Sequence, residues 1–136
     1  MRHEPWQDAN PHIDMILVSD DLTAEHNGDW LNFCFGLTCG RFVANSVHRY
    51  KSLNDLERFL AVKAVVLHEI GHVLGAAADL NRSHTEEKIG PHCTNPNCVM
   101  RQGLNLATWV KHARECNSHG SWYCPQCLAD IKNSQI

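Results

Sequence analysis

Apolar positions first cluster at Ile13-Asp14-Met15-Ile16-Leu17-Val18, a short run closed by Ser19-Asp20-Asp21 that suits a buried strand. Residues 1–12, with Pro5, Asn10 and Pro11, read as a leading arm. Further on, Leu31, Phe33, Phe35 and Leu37 alternate with Asn32, Cys34, Gly36 and Thr38. A period of two places four large apolar residues on one face of a single strand. Gly40 punctuates, and Arg41 to Val47 resumes a strand-like pattern.

The period then changes. Asn54 followed by Glu57 has the form of a capping box, and Leu56, Phe59, Leu60, Leu67, Ile70 and Leu74 recur at helical spacing. One long helix is predicted from about residue 54 to Gly75, with that stripe as its core-facing side; Lys63 falls inside the stripe and must either extend to solvent or mark a later helix start. On the wheel, His68 and His72 fall opposite the stripe, so both imidazoles are expected to face a cleft while the core holds the helix from behind. Residues 76–91 are mostly polar and read as a loop or helical extension, and a short helix is expected near Leu106–Glu115. No internal repeat or low-complexity tract is present. The pattern as a whole predicts an α+β chain with a small twisted sheet of three or four strands.

Composition narrows the chemistry. A chain of 136 residues makes one domain. Its net charge of −3 offers no basic patch for nucleic acid, no apolar run spans a bilayer, and Met1-Arg2-His3-Glu4-Pro5 lacks the apolar stretch of a signal peptide. The expectation is a soluble, cytoplasmic monomer with neither nucleic-acid nor membrane partners. The unusual counts are seven Cys and ten His. In a reducing compartment, clustered Cys and His read as metal ligands before they read as disulfides.

His68-Glu69-Ile70-Gly71-His72 is the sharpest feature. Histidines four apart on a helix lie one above the other and can bind one zinc ion, while the Glu beside the first reaches a metal-bound water without being a ligand. Zinc brings the pKa of that water to about 7. Glu69 is then the expected general acid/base of peptide hydrolysis. A third ligand is needed. In the extended pattern that continues to Gly75, it normally follows three residues after the glycine, where this chain has Ala78. Asp79 would lie about 10 Å along the axis from His72 were the helix to continue, so it can join only if Gly75 breaks the helix. His84 and His92 are the other candidates.

His92-Cys93-Thr94-Asn95-Pro96-Asn97-Cys98-Val99-Met100 resembles the segment His-Cys-x4-Cys-x-Met that follows the active-site helix of archaemetzincins. Cys124-Pro125-Gln126-Cys127-Leu128 is similar to that family's closing Cys-x-x-Cys, and Leu31-Asn32-Phe33-Cys34-Phe35-Gly36 resembles the strand lining its cleft. Together these stretches cover most of residues 13–130. The resemblance implies a metzincin-like zinc metallopeptidase with two zinc ions per chain. His68, His72 and His92 would hold the catalytic ion, with Glu69 as acid/base and Met100 as the Met-turn beneath. Cys93, Cys98, Cys124 and Cys127 would hold a structural ion. An extended peptide or protein substrate would pair with an edge strand at Leu31–Leu37. A four-thiolate site would pin the returning segment and so fix His92 beside the helix.

Two departures accompany the likeness. About fourteen extra residues separate Gly75 from His92, as a lid, a remodelled cleft wall or a looser tether that weakens the third ligand's hold on zinc. Little sequence precedes Ile13, as in a minimal version or a fragment. Within the 1–136 domain, the expected parts are a sheet and active-site helix (1–75), an inserted loop (76–91) and a C-terminal four-cysteine zinc lobe (92–136). Cys116 and His119 are rival ligands for the second site. Cys34 and Cys39 are read as reduced thiols, and His3, His12, His26, His48 and His112 as solvated or core-edge residues. Trp109 and Trp122 are expected to pack the zinc lobe. The alternative to an enzyme is a catalytically inactive zinc-binding or interaction module on the same scaffold; the intact Glu69 argues against it.

Overall fold

The computed structural model describes residues 12–103 and 105–134. Its first strand, β1 (Asp14–Val18), pairs in parallel with β5 (Phe42–Ser46), which pairs antiparallel with β4 (Gly36–Cys39), giving a mixed sheet of order β1-β5-β4. β1 is therefore an edge strand and not a buried one: Ile16 and Leu17 are 45% and 56% exposed. The buried member is β5, where Val43, Ala44, Asn45 and Ser46 are all covered.

The alternating stretch is not one strand. β3 (Asp29–Cys34) forms a hairpin with β2 (Leu22–His26), and the chain leaves that hairpin at Phe35 before entering β4. The hairpin turns through Asn27-Gly28, both at positive φ (51° and 85°), the backbone a two-residue type I′ turn requires. The break occurs at Phe35 because its ring is drawn into the core, 5.4 Å from Tyr50 and 6.1 Å from Trp109 between centroids, while its carbonyl accepts from Ser46 N at 2.9 Å.

After a 3₁₀ turn (His48–Ser52) comes the long helix, α1 (Asp55–Val73). Asn54 caps it by accepting from Glu57 N at 2.9 Å. Glu57 does not complete the box; its carboxylate meets Arg114 instead. The helix ends in a Schellman arrangement: Gly75 (φ 91°) donates to His72 O at 3.2 Å and Ala76 to Gly71 O at 2.9 Å.

Burial on α1 corrects the expected orientation. Leu56 and Phe59 of the apolar stripe are 63% and 62% exposed, and the covered face is Leu60, Ala61, Ala64, Val65, His68, Glu69 and Gly71. Size decides the matter. Ala61, Ala64 and Gly71 let neighbouring elements approach closely, as in the hydrogen bond from Trp109 Nε1 to Ala61 O (3.3 Å), whereas the Leu56/Phe59 side offers no such seat. Lys63 does not run free to solvent; its ammonium lies 5.0 Å above the Trp122 ring.

Residues 76–84 form an irregular loop that leads into the hairpin β6 (Thr85–Glu87) and β7 (Pro91–Cys93). Helix α2 (Leu106–His119) runs longer than predicted, capped by Asn105 and stopped by Gly120 at φ 86°. A further helix, α3 (Pro125–Ser134), starts with Pro at its first position, where the missing N–H costs nothing. Among the described residues the architecture is α+β, with three α-helices and small sheets. Among the described residues no helix is long and apolar enough to cross a membrane.

Candidate metal centres and cleft

His68 and His72 sit one turn apart on the covered face of α1, and β7 carries His92 back to them. The three rings have centroid separations of 4.8, 5.1 and 5.0 Å. The Nε2 atoms of His68 and His72 are 3.1 Å apart. Two nitrogens sharing a tetrahedral zinc at ordinary bond lengths stand about 3.3 Å apart, so the donor set fits that ion. In two of the three rings the other nitrogen has a backbone partner. His68 Nδ1 donates to Val99 O (2.7 Å) and His92 Nδ1 to Gly90 O (2.9 Å), which leaves each Nε2 as a lone-pair donor toward the centre.

Burial and electrostatics point the same way. His68 lies well below the usual imidazole pKa because it is buried and faces His72 and His92. His72 is lowered to about 4, first by burial and then by His92; His92 is lowered by burial. All three are thus held neutral, the form that binds metal. In the metal-free chain this predicts acid lability. Below its ordinary 6.5 an unfolded His72 gains a proton that the folded one refuses until about pH 4, so the unfolded state binds more protons across that window. Stability should fall by roughly 3 kcal/mol from this group alone between those limits, with His68 adding in the same direction. In a metal-free Glu69→Gln protein, which removes the opposing contribution of a carboxyl raised to about 7, the urea midpoint should drop steadily from pH 6.5 to 4; a flat midpoint there would contradict the packing of these rings.

Glu69 is 6% exposed beside this cluster. Burial raises its pKa to about 7, opposed by a 2.5 Å hydrogen bond from Thr38 Oγ1 to Oε2. The same hydroxyl also reaches Glu69 O at 3.2 Å, fixing the carboxylate to β4. Gly36 makes room for it: a Cβ there would stand 2.7 Å from Glu69 Cγ and Oε1 and 2.8 Å from Asn45 Oδ1. Thr38 and Gly36 escape sequence reasoning, since nothing local ties them to a glutamate on a helix 31 residues downstream of Thr38. These groups open onto a cleft of about 590 Å³, walled by Phe33, Phe35, Gly36, Thr38, Ile89 and Trp109 among others. Trp109 therefore packs the cleft and core rather than the cysteine lobe, 5.7 Å from His68 between ring centroids.

The second cluster joins Cys93 and Cys98 with Cys124 and Cys127, whose sulfurs all lie within 4.8 Å of one another. Cys93 to Cys124 is 3.8 Å and Cys98 to Cys127 is 3.7 Å, matching the ~3.8 Å edge of a tetrahedron with zinc–sulfur bonds of ordinary length. Without a cation, four such sulfurs cannot all ionise. Hydrogen bonding with Cys127 and Cys98 favours the Cys93 thiolate, and hydrogen bonding with Cys93 and Cys98, then burial, pushes the Cys127 thiol up. A divalent ion would reverse that repulsion. Backbone donors already face the sulfurs: Asn95 N to Cys93 at 3.4 Å, Cys124 N to Cys98 at 3.4 Å and Cys127 N to Cys124 at 3.4 Å.

The segment between the clusters serves both. His92 and Cys93 are neighbours on β7, Val99 O orients His68, and Met100, fully buried, packs against Gly71, where any Cβ would collide with its sulfur. The other candidates lie elsewhere. Asp79 is exposed and caps Asn81 N, and His84 is exposed with its carbonyl accepting from Thr94 N. Cys116 is buried but bonds to Asn97 O, and His119 is exposed on α2. Cys34 lines the cleft with its pKa raised to about 11 by burial and by Glu69. All seven cysteines are free thiols. His3 lies outside the described residues.

No family model and no curated protein sequence matches this chain. Solved structures do. A zinc-dependent peptidase from Methanocorpusculum labreanum superposes with a TM-score of 0.64 at 21% identity, over 93% of this chain and 57% of that one. The fold is one that a zinc-dependent peptidase shares, with two possible metal-donor sets placed on it. Within it the chain is archaemetzincin-like. The archaemetzincin of Methanopyrus kandleri matches with a TM-score of 0.62 at 25% identity, over 89% of this chain and 54% of that one. That of Archaeoglobus fulgidus, crystallised with malonate, gives 0.61 at 26%, over 88% and 60%. The chain spans a little over half the length of these structural relatives.

Proposed function

We propose that this chain is a zinc metallopeptidase holding two zinc ions, a catalytic one on His68, His72 and His92 and a structural one on Cys93, Cys98, Cys124 and Cys127. The observation that carries the reading is the convergence of three neutral imidazoles beside a buried glutamate in an open cleft. A purely structural site needs neither an adjacent base nor room for a substrate. When bound, zinc supplies Lewis acidity toward a peptide carbonyl and an attacking water.

The chain's own residues do the rest. Glu69 accepts a proton from the attacking water and delivers it to the departing amine. Its burial places its affinity for protons near neutrality, where both transfers run. Thr38 keeps the carboxylate from rotating away, and Met100 backs α1 at the turn between the two helical ligands. The substrate is a peptide lying extended against β4, the cleft-side edge of the mixed sheet, which takes only the Leu37 end of the Leu31–Leu37 stretch expected to form that edge, the rest lying in the β2–β3 hairpin. The parts 1–75, 76–91 and 92–136 act as one unit, because the cleft takes Phe35, Ile89 and Trp109 from each in turn. Cysteines gathered as a metal-donor set suit a reducing, cytoplasmic setting.

Elemental analysis and a peptide-library digest test the reading. Zinc-loaded protein should carry two equivalents and cleave peptides, and a chelator should abolish cleavage. Two equivalents with no cleavage of any library would favour an inactive module on the same scaffold; a single equivalent held by thiolates alone would reduce the chain to a zinc ribbon.

A further inference from the structure

The stretch before β6 is tied to the cysteine cluster by one side chain. Arg82 Nη2 donates to Cys127 Sγ at 3.3 Å and to Asp130 Oδ2 at 2.7 Å, while its Nε reaches both Asp130 oxygens at 3.1 and 3.0 Å. Both partners are well covered, each side chain 15% exposed. Asp130 Oδ2 also accepts from Ala77 N at 2.9 Å, just past the end of α1. Around this fork the loop is laced to the lobe again: Gln126 Nε2 donates to Ser83 Oγ at 2.8 Å, and Thr94 N to His84 O at 2.9 Å.

We propose that Arg82 is a positioning residue for both metal centres: its guanidinium offsets the negative charge of the thiolate cluster and, through Asp130, clamps the loop that leads into β6 and β7. The inference rests on the two-zinc reading above. Four thiolates around a divalent ion leave a net charge of minus two. The other donors facing these sulfurs are neutral amides, Asn95 Nδ2 to Cys124 at 3.3 Å included, so Arg82 is the cation that hydrogen-bonds the cluster among the described residues. A planar fork can hold a carboxylate with two nitrogens and still turn an N–H to a sulfur; an ammonium has the charge without that geometry. β7 then transmits the effect, since its consecutive residues His92 and Cys93 belong to different centres. On this account the insertion is a strut rather than a lid.

Cobalt(II) titration of the full chain separates the sites, because sulfur-to-cobalt charge transfer marks the thiolate centre and imidazole ligation does not produce it. R82M should weaken cobalt binding at the thiolates about 10–100-fold, the usual effect of losing a partner that supports a metal ligand. It should also weaken the histidine centre, which Arg82 does not touch. R82K separates charge from clamping: thiolate-site affinity should stay near the parent's while the melting temperature falls as it does for R82M. If R82M does not fold, R82K alone decides, and affinity falling in step with melting temperature would reduce Arg82 to a structural role. R82M with parental affinity at both sites overturns this proposal only. A parent chain that takes no cobalt at its thiolates overturns it together with the peptidase reading.

Discussion

Glu69→Gln should lower kcat by a factor of about 10²–10⁴, roughly 3–5 kcal/mol of barrier, while both zinc ions stay bound. Glutamine keeps the volume and can still accept from Thr38, so the wall around Gly36 and Asn45 need not move. What it loses is the lone pair that takes a proton. KM should change little, because the carboxylate is a wall of the cleft rather than a substrate anchor. Steady-state kinetics with zinc content measured on the same sample checks this. Full activity in a two-zinc E69Q protein would remove Glu69 from the chemistry. Loss of the histidine-bound ion would instead give it a role in holding the site together.

Cys98→Ser should have the largest effect on stability. Binding of a structural zinc is worth on the order of 10–16 kcal/mol in small zinc-dependent folds, against a net stability of about 5–15 kcal/mol for an ordinary domain. Cys98 is fully buried, and its sulfur faces Cys127 at 3.7 Å and accepts from Cys124 N at 3.4 Å. Serine is a poor zinc ligand and would leave a buried hydroxyl among thiols. Near-UV circular dichroism from Trp122 and Tyr123, the residues leading into Cys124, should collapse. The histidine centre should empty too, because Val99 and His92 lose their anchor. A C98S protein that kept two zinc ions and a parental melting temperature would mean that the four-cysteine cluster is not a metal site.

Much of the site was legible because its chemistry is local. Two histidines and a glutamate within one turn of a helix need no knowledge of the fold, and Asn54 and Gly75 mark the ends of that helix through caps that act over three or four residues. The geometry that brings His92 to them is not local, and there the resemblance to archaemetzincins carried the expectation. The sheet was harder to read. β1 and β5 pair in parallel across the whole β2–β4 region, a register no short window contains. The β2–β3 hairpin does carry a signal, Asn27-Gly28 between apolar runs, but the continuous alternation from 31 to 37 masks the break at Phe35.

The helix orientation failed for a different reason. Hydropathy favours Leu56 and Phe59 as core residues, yet close packing selected Ala61, Ala64 and Gly71, whose small size leaves room for Trp109 and Met100. The face that carries His68 and His72 is therefore the packed face, and the lowered pKa of their imidazoles follows first from that burial. Thr38, Gly36 and Arg82 were invisible for one shared reason: each acts through a partner distant in sequence and carries no motif of its own.

Anomalous diffraction at the zinc edge, on crystals of zinc-loaded protein, tests the central geometry most directly. Two peaks per chain are predicted, one about 2.0–2.1 Å from the Nε2 atoms of His68, His72 and His92, the other about 2.3 Å from the four sulfurs of Cys93, Cys98, Cys124 and Cys127. A first peak bonded to His68 and His72 alone, with the His92 ring turned to solvent, would contradict the account.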